Sequence, residues 1–186
     1  IVDAIDMWCN NKEDSLGLYG DINSWNTSQL TDLSSLFENK TVFDDYIGDW
    51  DVSNVRTMQR MFHRAHHFNQ SLEQWDVSNV ENMEGMFWSA YSFNQPLEEW
   101  DVSNIINMEG MFRNAYVFNQ PLEQWDVSKV TNMGAMFHNA HVFNQPLNKW
   151  DVGKVTNMIS MFANTHVFNQ PLDEWNVSNV KTMGAM

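Results

Sequence analysis

Apolar and polar positions along this chain follow one long period. Seven tryptophans, Trp25, Trp50, Trp75, Trp100, Trp125, Trp150 and Trp175, stand 25 residues apart. A strict period of that length has to be read before any shorter pattern, because it dictates the fold. Aligned on the tryptophan, the columns that keep their type are mostly apolar: in one copy they are Trp100, Val102, Ile105, Met108, Met111, Phe112, Phe118 and Leu122, with Ala115 close behind. Columns that vary, such as those of Glu98, Glu99, Arg113 and Asn114, are polar or charged. A single 25-residue loop has too little apolar surface to bury its own inner side. It must stack on its neighbours and share a continuous core with them. Fixed columns therefore face the stack, and variable columns face water.

Within a coil the spacing predicts two elements. Leu97, Trp100 and Val102 have the L-x-x-L-x-L spacing of a leucine-rich-repeat strand, with Trp in the second slot. Strand alternation then points Trp100 and Val102 inward and Asp101 and Ser103 outward. Met108, Met111, Phe112 and Ala115 fall at i, i+3, i+4, i+7, one face of a short helix. The stretch from Phe118 to Leu122, with Asn119, Gln120 and Pro121, returns the chain through a turn whose asparagine stacks on the equivalent asparagine one coil away. The expected fold class is an α/β repeat solenoid, LRR-like, with one short strand and one short helix per coil. A different assignment puts the strand at Ile105–Met108 and leaves Trp100–Val102 in a turn.

Residues 1–24 depart from the repeat. Val2, Ile5 and Trp8 or Cys9 have helical spacing, and Gly17 and Gly20 follow as breakers. This predicts an N-terminal capping helix and lead-in over 1–24, and tandem repeats over 25–186, about six and a half coils. Coil 25–49 is atypical: Leu33 and Leu36 stand where methionine appears later, and Asp44-Asp45-Tyr46 replaces Asn-Gln-Pro. The sequence stops in mid-repeat at Met186, which suggests a piece of something longer.

The unit W-D-V-S-N-V-x-x-M-x-x-M-F-x-x-A-x-x-F-N-Q-P-L resembles the repeat of the BspA-like leucine-rich-repeat surface proteins, a group of bacterial surface proteins and lipoproteins together with proteins of marine algae. The match runs over roughly residues 20–186 and recurs seven times in register, with Gly153 for Ser, Asn176 for Asp and Ser71 for Pro as small departures. The resemblance implies a solenoid on a secreted or surface-attached protein, with a role in adhesion or partner binding and no enzymatic residues to carry over.

Charge narrows the partners. A net charge of −14 argues against nucleic acid, which needs a basic footprint, and against adhesion to anionic membranes. It suits an extracellular or high-salt setting, where self-repulsion is screened. Cys9 alone excludes an internal disulfide framework. No run of 18 apolar residues is present to form a membrane-spanning helix.

Several columns carry candidate chemistry, each beside a plainer reading. Met-x-x-Met recurs from Met58/Met61 to Met183/Met186 and suggests soft-metal ligation by thioethers. Leu33 and Leu36 fill the same slots in the first coil, and leucine ligates nothing, so core packing is preferred. Asp51, Asp76, Asp101, Asp126 and Asp151 would lie about 5 Å apart along the stack and invite calcium; D-V-S-N also builds an Asx turn, the favoured reading. His63/His66 and His138/His141 are spaced like metal pairs but lie three coils apart, so surface histidines are preferred. The N-x-S/T sequons at Asn26, Asn39, Asn69 and Asn176 carry no weight in so Asn- and Ser-rich a chain.

Two variable columns stand out. One runs His66, Tyr91, Tyr116, His141, His166, and its neighbour runs His63, Trp88, Arg113, His138. Rows of aromatics stack on sugars or anchor proteins, so the candidate partner-binding patch is Trp88, Tyr91, Arg113, Tyr116 and His141. No phosphate loop, triad or metal motif is present. The sequence therefore predicts a non-enzymatic extracellular or cell-surface adhesion module without a cofactor, presenting a repetitive surface to a protein or glycan. A self-assembling filament or matrix protein is the main alternative, and a calcium- or ice-binding array a minor one.

Overall fold

The computed structural model describes residues 1–186. Helix α1 (Val2–Asn10) and helix α2 (Lys12–Tyr19) are followed by a single 3-10 turn, Ile22–Ser24. From Trp25 onward the chain contains neither helices nor extended strands. It is a column of β-turns joined by one isolated parallel bridge per coil, from Asp32↔Thr57 to Asn157↔Thr182.

The α/β, LRR-like expectation is therefore incorrect on both of its elements. The predicted helix of Asn107–Ala115 is a run of overlapping turns closed by Met111→Met108, Arg113→Gly110 and Ala115→Phe112 N–H···O=C bonds of 3.0 to 3.2 Å. The intervening amides leave the coil: the N–H groups of Met108, Gly110, Phe112 and Asn114 donate to the carbonyls of Asn132, Gly134, Met136 and His138, at 2.8 to 3.0 Å. In a helix each of these amides would bond four residues back. Here a neighbouring coil offers a partner instead, and two residues per coil take positive φ to allow it. Those residues are Gly110 (59°) and Asn114 (57°), with Arg60 and Arg64, Gly85 and Ser89, Ala135 and Asn139, and Ser160 and Asn164 in other coils. A positive φ at the third residue is what a type II turn requires, and it breaks a helix.

The predicted strand at Trp100–Val102 is likewise absent. Trp100 N–H bonds Leu97 and Ile105 N–H bonds Val102, both within the coil, and no backbone bond links neighbouring coils there. The backbone bonds between coils lie at Ile106–Asn114 and leave a single isolated bridge at Asn107, so the alternative strand at Ile105–Met108 is not formed either. The ladder also runs backward, from Ile106 N–H to Glu81 carbonyl at 2.8 Å.

The inward set is nonetheless the one the columns specified. Val102, Ile105, Met108, Met111, Phe112, Ala115, Phe118 and Leu122 are 0 to 1% exposed, and Trp100 is 4% exposed. Both methionine columns are packing residues from Met58 through Met161. Phe112 lies 4.0 Å from Phe118 within its coil and 5.7 Å from Phe87 and from Phe137 in the coils on either side. The tryptophans add a polar rung: Trp100 Nε1–H donates to Leu72 O at 3.0 Å and Trp125 Nε1–H to Leu97 O at 2.9 Å. The Asn-Gln turn forms a second ladder. Asn119 N–H donates to Asn94 Oδ1 at 2.9 Å, while Gln120 Nε2 donates to both Asn94 oxygens at 3.0 Å.

At the N-terminus, Ile5 and Trp8 of α1 and Ile22 join the same core. Trp8 meets Trp25 edge-on at 5.9 Å, and its Nε1–H donates to Asp45 at 2.8 Å. Helix α2 is capped at its start by Asn11, whose side chain accepts from Asp14 N–H, and at its end by Gly20 with φ 73°. Gly17 lies inside α2 and does not break it.

Stacked turns and helices respond oppositely to one substitution. Ala135 holds φ 53°, which disfavours a Cβ. Ala135→Gly should raise stability by up to about 1 kcal/mol in thermal or urea unfolding, whereas a helix would lose about that amount. A drop in stability would contradict the turn architecture.

Candidate functional site

Because each coil places equivalent residues one above the next, the variable columns become continuous rows. His66, Tyr91, Tyr116 and His141 form a stack with ring centroids 4.4, 4.7 and 4.6 Å apart and planes within 14° of parallel. His166 continues it at 6.5 Å. Three residues earlier in each coil runs the second row. Glu38 carboxylate meets His63 Nδ1 at 2.8 Å, His63 lies 4.9 Å from Trp88, and the Arg113 guanidinium sits 4.6 Å from the opposite side of the Trp88 ring. Trp88, Tyr91, Arg113 and Tyr116 are half-buried and His141 is exposed.

This arrangement alters the chemistry expected of the rows. The faces of Tyr91 and Tyr116 are covered by the rings above and below, and Trp88 is sandwiched between His63 and Arg113. Within the rows, a sugar therefore finds no free face on these rings to stack upon. What remains to a partner is a strip of ring edges, with phenolic hydroxyls, imidazole nitrogens and the outer side of one guanidinium. Burial, followed by the nearby charges of His67 and Arg64, lowers the His66 pKa, and burial, followed by Arg113, lowers that of His138. Both imidazoles are thereby biased toward the neutral form. Beside the rows, Val117 and Val142 are each 43% exposed and Val167 is 46% exposed, making an apolar stripe over three consecutive coils.

The aspartate column is engaged locally. Asp51, Asp76, Asp101 and Asp126 each accept the N–H of the serine two residues on at 3.0 to 3.1 Å, and Asp151 accepts from Gly153 N–H. The Ser53 hydroxyl also donates to Asp51, at 2.6 Å. Those hydroxyl and amide bonds hold the Asp51 carboxyl below its ordinary range, and Ser128 does the same for Asp126. His63 and His66 separate: one ring lies in the Glu38–Trp88 row and the other against Tyr91. Their partners His138 and His141 divide between the same two rows.

Sequence reasoning missed one feature, a cleft of about 510 Å³ between the helical cap and the first coil, bordered by Trp8, Cys9, Lys12, Lys40, Phe43 and Asp45. Lys12 pairs with Asp45 and Lys40 with Asp6 across it. Burial pushes the half-buried Cys9 thiol up, away from the reactive thiolate. Nothing in the linear order of these residues announces the cleft, because it exists only where the cap meets the stack.

Fold and surface together define a class: a β-turn solenoid whose coils share one core and whose variable columns make continuous external rows. The family model described as "Mycoplasma protein of unknown function, DUF285" matches residues 6–115 and again 96–186. The chain belongs to that family. No curated protein and no solved structure matches it.

The depressed Asp126 pKa makes a signed prediction. A carboxyl bound in the folded state stabilises above its unfolded pKa of about 3.9, and that contribution disappears as pH falls through the lower folded value. Asp126→Asn keeps the turn, since Asn176 accepts the Ser178 N–H at 3.2 Å in the equivalent place. The variant should melt slightly below wild type at pH 7, lose less stability between about pH 4 and 2, and so converge on wild type in acid. Equal acid sensitivity in thermal scans would exclude the carboxylate bond as a contributor.

Proposed function

We propose that this chain is a non-catalytic interaction module, displayed at a cell surface or in the extracellular space, that binds a protein partner along the aromatic rows. The observation that carries this reading is the division of labour among the columns. The recurring polar groups of the Asp-x-Ser and Asn-Gln columns are committed to turns or to ladders between coils. The variable columns instead converge on one strip containing Trp88, Tyr91, Arg113, Tyr116 and His141. Tyr, Trp and Arg are the residues that concentrate binding energy at protein interfaces. The covered ring faces favour a protein over a sugar that stacks on them. The resemblance of the repeat to that of BspA-like surface proteins supports the location and the adhesive role. Self-assembly is the second reading, favoured by the exposed valine stripe. The reading requires no cofactor. Calcium on the aspartate column is a minor alternative, to which the turn-bound carboxylates contribute one oxygen each outside their local bonds.

Screening the purified chain against surface-protein extracts and glycan arrays, in calcium and in chelator, tests this. Selective protein binding is expected, unchanged by chelator. It should weaken at least about tenfold in Trp88→Ala and in Tyr116→Ala, a loss of about 1.4 kcal/mol or more. Binding that ignores both substitutions in folded variants would rule out the strip, and glycan binding sensitive to them would shift the partner class.

A further inference from the structure

From the coil that begins at Trp50 onward, the acidic residues are confined to one part of each coil, whereas the coil before it carries Glu38, Asp44 and Asp45 in the other part. Residues 60–72, 85–97, 110–122, 135–147 and 160–172 contain no Asp, no Glu and no Lys. They hold all six histidines, and Arg60, Arg64 and Arg113 are their charged residues. All 24 Asp and Glu lie elsewhere, as in the run Glu98, Glu99, Asp101. Because each coil returns to register after 25 residues, these acid-free arcs stack into one strip over residues 60–172, the strip that bears the aromatic rows and the valine stripe. Arg60 is paired with Glu84 at 3.3 Å and Arg113 lies on Trp88, so Arg64 and Arg113 give the strip a small positive charge on an otherwise acidic chain. Depletion of Asp, Glu and Lys, with enrichment of aromatics and Arg, is the composition of an interface core.

We propose that two copies of this chain associate side by side through this strip. The inference rests on the reading of the strip as the interaction surface, and it names the partner. Two chains of net charge −14 repel wherever carboxylates meet, and this arc is where they approach without bringing carboxylates face to face. The strip is also large enough. Over residues 60–147 its arcs expose, at least in part, 28 residues, against the roughly 20–30 that a standard interface takes from each side. A second copy also carries the same axial repeat, so ring edges and valines meet ring edges and valines coil after coil. Two-fold, self-complementary contact of this kind is the commonest form of homo-oligomer.

The signature is an association that strengthens with salt, since screening removes the repulsion between the acidic flanks while the apolar contact persists. Sedimentation velocity over a concentration series, from about 0.05 to about 1 M NaCl, should show the dimer dissociation constant falling about tenfold or more. Val117→Asp and Val142→Asp should each weaken the dimer by at least about tenfold, because each buries an unpaired charge. His67 and Ser92 occupy the same column, so a polar side chain there is compatible with the fold, and unchanged melting of the variants verifies it. A monomer at every salt concentration overturns the inference, as does a dimer that weakens with salt or survives both valine substitutions. Loss of association in Met183→Asp but not in Val142→Asp also overturns it, by moving the contact to the last coil. A monomer that still captures a foreign protein in a Tyr116-dependent way removes this inference and leaves the proposed function standing.

Discussion

The structure depends on backbone hydrogen bonds that leave each coil. Amides at alternate positions from Met108 to Asn114 bond carbonyls of the following coil, while the amides between them close turns at home. A coil cut from the stack would lose half of that arrangement and face water with Met, Phe and Trp on its inner side. No repeat folds alone, so order is a property of the stack. The helical cap serves the same need at the first coil, where Ile5, Trp8 and Ile22 complete the core.

From that ladder follows the column logic. A residue repeated every 25 positions meets copies of itself about one strand spacing away, so each column is either a continuous internal seam or a continuous external row. Inside, this favours residues that stack on themselves. Phe87, Phe112 and Phe137 form one such seam, and the tryptophans add a hydrogen bond to the coil behind. Outside, the same geometry turns scattered substitutions into rows. Tyr91 and Tyr116 are ordinary surface residues taken singly; one above the other they shield each other's faces and leave an edge. Stacking thus covers the ring faces and leaves the ring rims open to solvent.

The charges follow the same rule. Like charges repeated in a column meet their own kind, so an acidic solenoid has to spread or engage them. The Asp-x-Ser turns engage one set by tying each carboxylate to a local amide and, in some coils, a hydroxyl. From Trp50 onward the other acids lie on arcs that carry no aromatic row, which leaves a strip free of carboxylates along those coils.

By itself the sequence determined the period, the inward columns and the turn-forming role of Asp and Asn, because each is a local or periodic property of residue type. It also contained, unread, the sign that the methionine segment is not helical. Gly, Asn and Ser recur at positions 85, 89, 110, 114, 139, 160 and 164, and Gly and Asn in particular tolerate the positive φ that all seven adopt. The i, i+3, i+4, i+7 spacing was ambiguous, since a helix and a row of turns can place the same residues on one side. The tertiary structure alone decided between them. The competing hydrogen-bond partners belong to another coil 24 residues away, and no local propensity reports an acceptor that distant. The covering of the ring faces and the cleft beneath the cap were settled in the same way, by contacts that exist only once the coils are stacked.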